Sequence, residues 1–542
     1  MKKLFTSAAL ALAALSAQAT DYTDMLNVSV NGMTMPEQET TVSIDQNADN
    51  TYKLSLKNLT LVIAGVPMAV GNIVLDNVAG IQNGEVTTLQ ANQAIQITPG
   101  DESGLTWTGP GLGNVPIDMI AEIRSNSLYF NIDIDMSATA ISQVINVRFG
   151  DGGYQIKNSG FEDFHTATYV DGDKSYSSEE PNAWHSFNSG VASGTMAVLT
   201  KLALQNGNTS VSDIVRPGST GSKSVAIKSS MVLGFQPANG TMTTGRLQAG
   251  SLTATEPANC SFMDMSKTDV DGNGDPFYTV LNGTPDSLAV WVKFKQGAIS
   301  EANSQYKYAT VSAIITDGTY YQDPEDKEYT NILAKAQNKQ IESKDFQWQR
   351  LSIPFDYETY AANAAEGKAL LVTISTNAQP GVGSSDANNP DSIIVDDIEL
   401  IYNSTVTGIS VKGTPIADFD AATKEYNVGI EGDLADITAD DIEVTTNGRG
   451  TKVMVDVADV DCEGVGSVAN ITVYSCDLKT KSQYVVKTFT QGYIDGISNV
   501  NADNGEVEAV YNLNGQRVES PVKGQVYITK YANGKTVKTV KK

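Results

Sequence analysis

The chain is 542 residues long, with 46 glycines and 17 prolines spread along it, which is too much for one core and points to about three or four domains rich in strands and turns. A formal charge of −26 excludes nucleic acid as a partner, because a polyanion gains nothing from a negative surface. Few runs have helical period, so the fold class expected is all-β and multidomain.

Residues 1–19 have the form of a secretory signal peptide. Lys2 and Lys3 precede an apolar run ending near Leu15, and Ala17-Gln18-Ala19 is a small-residue cleavage site. The run is too short to span a bilayer, and no later segment is long and apolar enough to do so. Export leads to the periplasm, the cell surface or the medium.

Residues 20–150 alternate polar and apolar side chains in short runs. Tyr52, Leu54 and Leu56 oppose Thr51, Lys53, Ser55 and Lys57, and 128–135 repeats the pattern. About eight such strands with short turns predict a closed antiparallel barrel, which small barrels fill with their own aliphatic side chains. Val70-Gly71-Asn72-Ile73, Trp107-Thr108-Gly109-Pro110 and the run from Ile145 to Gly150 resemble calycin-like domains of exported bacterial proteins. That resemblance implies a barrel able to enclose an apolar ligand; the residues themselves favour a filled interior, with Trp107 plugging one end.

Residues 151–403 form the next expected module, with a short helix near 196–204. Its central strand follows Pro285-Asp286. Leu288, Val290, Val292 and Phe294 share one face, and Ala289, Trp291, Lys293 and Lys295 the other, as in a strand between a core and a wet groove. With Gly274-Asp275-Pro276-Phe277 upstream, this run resembles the putative carbohydrate metabolism domain. Asn158-Ser159-Gly160-Phe161-Glu162 and Ile393-Ile394-Val395-Asp396-Asp397 are similar to the first and last strands of jelly-roll sugar-binding modules. The resemblance implies a jelly-roll β-sandwich that binds a glycan or polysaccharide.

Sugar recognition needs aromatic faces beside polar groups. Trp184 and His185 in a polar loop, Trp291, Tyr320 after a turn, and Trp348 with Arg350 on one strand face are the candidate ligand-binding residues. For each aromatic the alternative is a place in the core. Period two puts Asp396 on the inward face with Ile398 and Leu400, and a buried carboxylate needs a partner. Jelly-roll relatives imply a structural calcium held by Glu162, Asp396 and Asp397; a hydrogen-bonded Asp at a strand bulge is the alternative, and no cofactor is required. Asp269-Val270-Asp271-Gly272-Asn273-Gly274-Asp275 begins like an EF-hand loop, but Val280 stands where the bidentate acid belongs. No catalytic residue is indicated.

Cys260, Cys462 and Cys476 are expected to be free. Eight or so residues of strand separate the last two, roughly 27 Å, whereas a disulfide needs Cα atoms within about 7 Å. Without a CxxC pair and with two histidines in the chain, a zinc site is not expected.

Residues 404–495 read as short strands. Val406-Thr407-Gly408-Ile409 and Phe419-Asp420-Ala421-Ala422 resemble an immunoglobulin-like spacer. The tail, 496–542, is basic. Tyr511-Asn512-Leu513-Asn514-Gly515 resembles a type IX secretion sorting domain, which implies outer-membrane surface attachment. Together these readings give a surface-displayed, non-catalytic glycan-binding protein. A glycoside hydrolase using a carboxylate pair and a structural adhesin that binds protein are the alternatives.

Overall fold

The computed structural model describes residues 19–63, 65–234, 236–298, 307–378, 388–430, 437–462, 465–490, 507–513, 515–523, 525–532 and 536–540; nearly all of the signal-peptide segment lies outside them. Two compact units result, one of residues up to Tyr402 with Asp477–Lys479, the other of Asn403–Cys476 with residues from Thr480 onward. The fold is all-β. Among the described residues no helix is long and apolar enough to cross a membrane.

The first unit opens with a closed eight-stranded antiparallel barrel. Its strands are β1 (Thr20–Val30), β3 (Gln38–Gln46), β4 (Tyr52–Ile63), β5 (Val66–Asn83), β6 (Val86–Gln96), β7 (Asn114–Arg124), β8 (Ser127–Asp135) and β9 (Val144–Phe149); β2 (Met33–Thr34) extends β1 as a short hairpin. Closure comes from β1 against β9, in register from Leu26 opposite Phe149 to Val30 opposite Ile145. Alternation places Leu26, Val42, Leu54, Leu75, Leu89, Met119, Phe130 and Phe149 inside, all but fully buried, with Phe130 and Phe149 stacked at 5.2 Å. Packed aliphatics of this kind fill a small barrel, as the alternation predicts. Gly71, at φ +130°, lies where a side chain would strike the Thr98 carbonyl, so only glycine admits that close approach. Trp107 is half-buried and packs on Gly100.

The barrel and the following module share a seam. Tyr154, 1% exposed, packs its ring on Tyr129 at 5.4 Å and on Tyr402 at 6.0 Å. Asn282 bonds the Gly152 and Gly153 carbonyls across the same junction. The boundary near residue 150 is therefore a packed joint, not an open linker.

The middle module is a β-sandwich-type arrangement. One five-stranded sheet runs Thr209–Ser212, Ser224–Lys228, Ser392–Ile401, Ser287–Lys295, Gln349–Pro354. A second joins Thr241–Thr243, Ala369–Ser375, Ala309–Thr316 and Ile332–Ile341, with Thr279–Val280 beside Ala369–Ser375. Leu288, Val290, Val292 and Phe294 are at most 1% exposed, whereas Trp291 and Lys293 are half-buried and Lys295 is exposed, as the alternation predicts; Ala289, expected on that second face, is buried, beside the register shift between Ala289 and Trp291. A smaller sheet contains Arg246–Ala249, Cys260–Met263 and Tyr321–Asp323. A hairpin, β10 (Phe164–Asp171) and β11 (Lys174–Pro181), precedes it, and the expected helix is a turn at Ala197–Thr200 continued by Lys201–Gln205.

In the second unit, Thr414–Pro415, Val406–Val411 and Ile442–Thr446 form one sheet. Glu425–Ile430, Lys481–Thr490, Val465–Tyr474 and Lys452–Cys462 form the other, with the first two parallel. Val406, Ile409, Ile471, Tyr484 and Val486 lie in their common core. Cys462 ends one strand and Cys476 lies past the far end of its partner; Cys260 and Cys476 are buried. The tail supplies the antiparallel strands Val507–Tyr511, Val526–Tyr531 and Thr536–Val540; Asn514 of the sorting-like run lies outside the described residues.

Candidate functional site

The sequence of the second sheet alternates hydroxyls with aliphatics, and this builds a two-sided surface. Thr241 lies opposite Ser375 and Ser375 opposite Thr310; two residues along, Thr243 lies opposite Thr373 and Thr373 opposite Ser312. Between these rungs Met242, Ile374 and Val311 point the other way and are fully buried. The hydroxyl face floors a pocket of about 300 Å³, of the size that ordinarily takes a small ligand. Thr241, Thr310, Ser312, Thr373, Ser375 and Asn239 contribute polar atoms, while Phe187, Leu199, Pro237, Leu247 and Leu252 form apolar walls.

The polar floor is held in place by its own bonds. Asn239 donates to Ser375 Oγ at 3.0 Å and to the Asn377 carbonyl at 2.8 Å, while its own Oδ1 is buried with no hydrogen-bond partner. Ser261 and Thr373 hydroxyls are 2.6 Å apart. Asp323 accepts from Ser312 at 2.9 Å and is the sole carboxylate among the described lining residues. Cys260 also lines the pocket; burial first, then the nearby Asp326 and Asp323, push its thiol up to about 12, so it is no thiolate nucleophile.

None of the six residues singled out for sugar binding lines this pocket. Trp184 is fully buried: its ring packs on Phe161 at 5.3 Å and its Nε1 donates to the Lys157 carbonyl at 3.2 Å. It is a core residue, because the loop that carries it folds inward beneath Phe161, and its face is closed to a sugar. His185 is fully buried too. Tyr320 is 38% exposed, with its hydroxyl on Gln322 at 2.9 Å. Trp291 lies opposite Arg350, and the Arg216 guanidinium stands 5.6 Å from the Trp291 ring; Trp348, just before the Gln349–Pro354 strand, is half-buried.

Arg216 also explains the acidic pair. Its backbone N–H donates to Asp396 at 2.8 Å and its Nε to Asp397 at 2.5 Å. Asp396 is buried opposite Trp291 at a register shift, with Asp397 at φ +43°, which is the bulge arrangement. Burial raises Asp396 above the ordinary carboxylate range, against the Arg216 amide. Glu162 accepts from the amides of Ser222 and Lys223, at 3.0 Å each to Oε1. Ligand atoms of Glu162, Asp396 and Asp397 do not form a convergent set; among the described residues a different one does.

That set lies at the hairpin. His165 on β10 stands directly opposite Glu180 on β11. His165 Nε2 is 3.7 Å from Glu180 Oε2 and 3.2 Å from Asp271 Oδ2; His185 Nε2 is 3.4 Å from the same Asp271 oxygen. The chain's two histidines thus meet at one carboxylate. Asp271 Oδ1 accepts the N–H groups of Asn273 and Asp275, which aims Oδ2 inward. Burial acts to raise Asp271, but the imidazoles and the Asp275 amide outweigh it and hold the carboxyl well below its usual range. Phe277 closes over the group, with His185 4.5 Å from its ring centroid and Arg246 4.3 Å from it.

Comparison with known proteins bears on the barrel. No curated protein matches the chain. A crystal structure described as a putative outer membrane protein from Bacteroides fragilis is similar at 19% identity and a TM-score of 0.19, covering 25% of this chain; the chain spans about half, 51%, of that relative's length. Residues 19–151, the closed eight-stranded barrel, match the calycin-like beta-barrel domain family.

Proposed function

We propose that this is an exported, surface-displayed protein that binds a glycan without cleaving it, in the pocket of the middle module. The observation that carries the reading is the pairing of a hydroxyl-bearing sheet floor with apolar walls. A pyranose presents hydroxyls at its edge and C–H groups on its faces, and needs both kinds of surface. Hydrolysis by the two-carboxylate route needs a pair of acids across the scissile bond, and the described lining has Asp323 alone. The signal-like start and basic tail support export and attachment, with the second unit as spacer.

The test is retention of the purified full chain on an array of bacterial, plant and host glycans. Binding to a defined saccharide, without release of reducing ends over a long incubation, supports the reading. An array with no retained glycan contradicts it.

A further inference from the structure

We propose that His165, Glu180 and Asp271 form a zinc site, with His185 packed against Asp271, that ties the β10–β11 hairpin to the 269–275 loop. The site is separate from the glycan pocket and does not depend on it.

The first argument is distance. One ligand atom each from His165, Glu180 and Asp271 lie within 4.8 Å of one another. Tetrahedral zinc with bonds of about 2.0–2.2 Å sets its ligand atoms about 3.3 Å apart. Within that set, His165 Nε2 stands 3.2 Å from Asp271 Oδ2 and 3.7 Å from Glu180 Oε2, separations that fall around that value.

The second argument is unmet bonding. His165 Nε2, both nitrogens of His185 and Asp271 Oδ2 are buried and lack a well-aligned hydrogen-bond partner. The Asp271 and His185 side chains are 0% exposed. Buried polar atoms without well-aligned partners are costly, and a cation bound by His165 Nε2 and Asp271 Oδ2 removes that cost for those two.

The third argument is the surrounding shell. A ligating histidine ordinarily gives its other ring N–H to an oxygen, and His165 Nδ1 lies 3.1 Å from Asn182 Oδ1. Glu180 is oriented by Ser186, whose amide donates to Oε1 at 2.8 Å, and by Ser189, whose hydroxyl donates to Oε2 at 2.6 Å. An imidazole and two carboxylates are a borderline donor set that suits zinc better than calcium, which takes only oxygen. Three protein ligands leave a fourth tetrahedral position for a water.

The experiment uses the untagged full chain, stripped with a chelator and equilibrated with zinc or cobalt(II). The proposal expects one zinc per chain, a cobalt spectrum with the strong visible bands of four-coordination, and a rise in Tm on adding zinc. His165→Ala should weaken zinc binding about 100-fold or more, since even supporting residues cost 10–100-fold. His165→Gln, at the partly exposed edge of the group, keeps the packing and guards against misfolding. No zinc uptake by the wild-type chain overturns the proposal, as does a folded His165→Gln chain with wild-type zinc affinity.

Discussion

The Tyr154 hydroxyl donates to Glu122 Oε2 at 2.5 Å, and that bond joins the barrel to the module that follows it. Glu122 is 1% exposed and also accepts from Arg124 at 3.0 Å. Tyr154→Phe keeps the ring and removes the bond, which should cost about 1.5–3 kcal/mol, as for hydrogen bonds to charged groups. Denaturant unfolding of the full chain measures it. An unchanged midpoint would mean that the seam contributes nothing through this bond.

Glu162 provides a pH-dependent contribution. Burial opposes its ionisation, but the amides of Lys223 and Ser222 and the Ser222 hydroxyl outweigh that and lower its pKa. A lowered carboxyl adds stability that is present above the unfolded-state value near 4.5 and is lost as pH falls through the folded one. Glu162→Gln should therefore destabilise the chain at pH 7 and lose part of the acid-side dependence of Tm. Parallel Tm–pH profiles for both proteins below pH 5 would contradict this.

Trp184 and Trp291 should separate cleanly. Trp184→Ala empties a fully buried site and should cost about 3–5 kcal/mol. Trp291→Ala removes a half-buried ring and its contact with Arg216, for about 1–2 kcal/mol. Equal losses in thermal unfolding would contradict the burial pattern.

The barrel and the Ser287–Lys295 strand were legible because period two is a local signal, readable from a few adjacent side chains. For Trp184 the core was the alternative left open: its polar neighbours describe composition, while its burial comes with Phe161, from outside its own loop. The pocket floor escaped notice because its hydroxyls come from three separate strands, one of them the three-residue Thr241–Thr243. Thr310-Val311-Ser312 and Thr373-Ile374-Ser375 do carry the alternation, and a face made only of hydroxyls was the available clue. Scarcity of histidine argued against a metal site, yet His165 and His185 converge on Asp271 through strand pairing and a loop that no spacing rule connects. Asp396 at a bulge was one of the readings open from period two; its partner, Arg216, comes from 180 residues earlier, where no spacing rule reaches.

The most direct test of the glycan pocket compares Thr241→Tyr with Trp291→Ala in one binding assay. Thr241 is half-buried at the pocket floor, and tyrosine there fills ligand space without touching the fully buried face. The account predicts that Thr241→Tyr weakens glycan binding by about tenfold or more, equivalent to about 1.4 kcal/mol, with Tm preserved. Trp291→Ala should bind as the wild type does. Wild-type affinity in Thr241→Tyr, with binding abolished in a folded Trp291→Ala chain, would contradict the account and move the site to the Trp291 face.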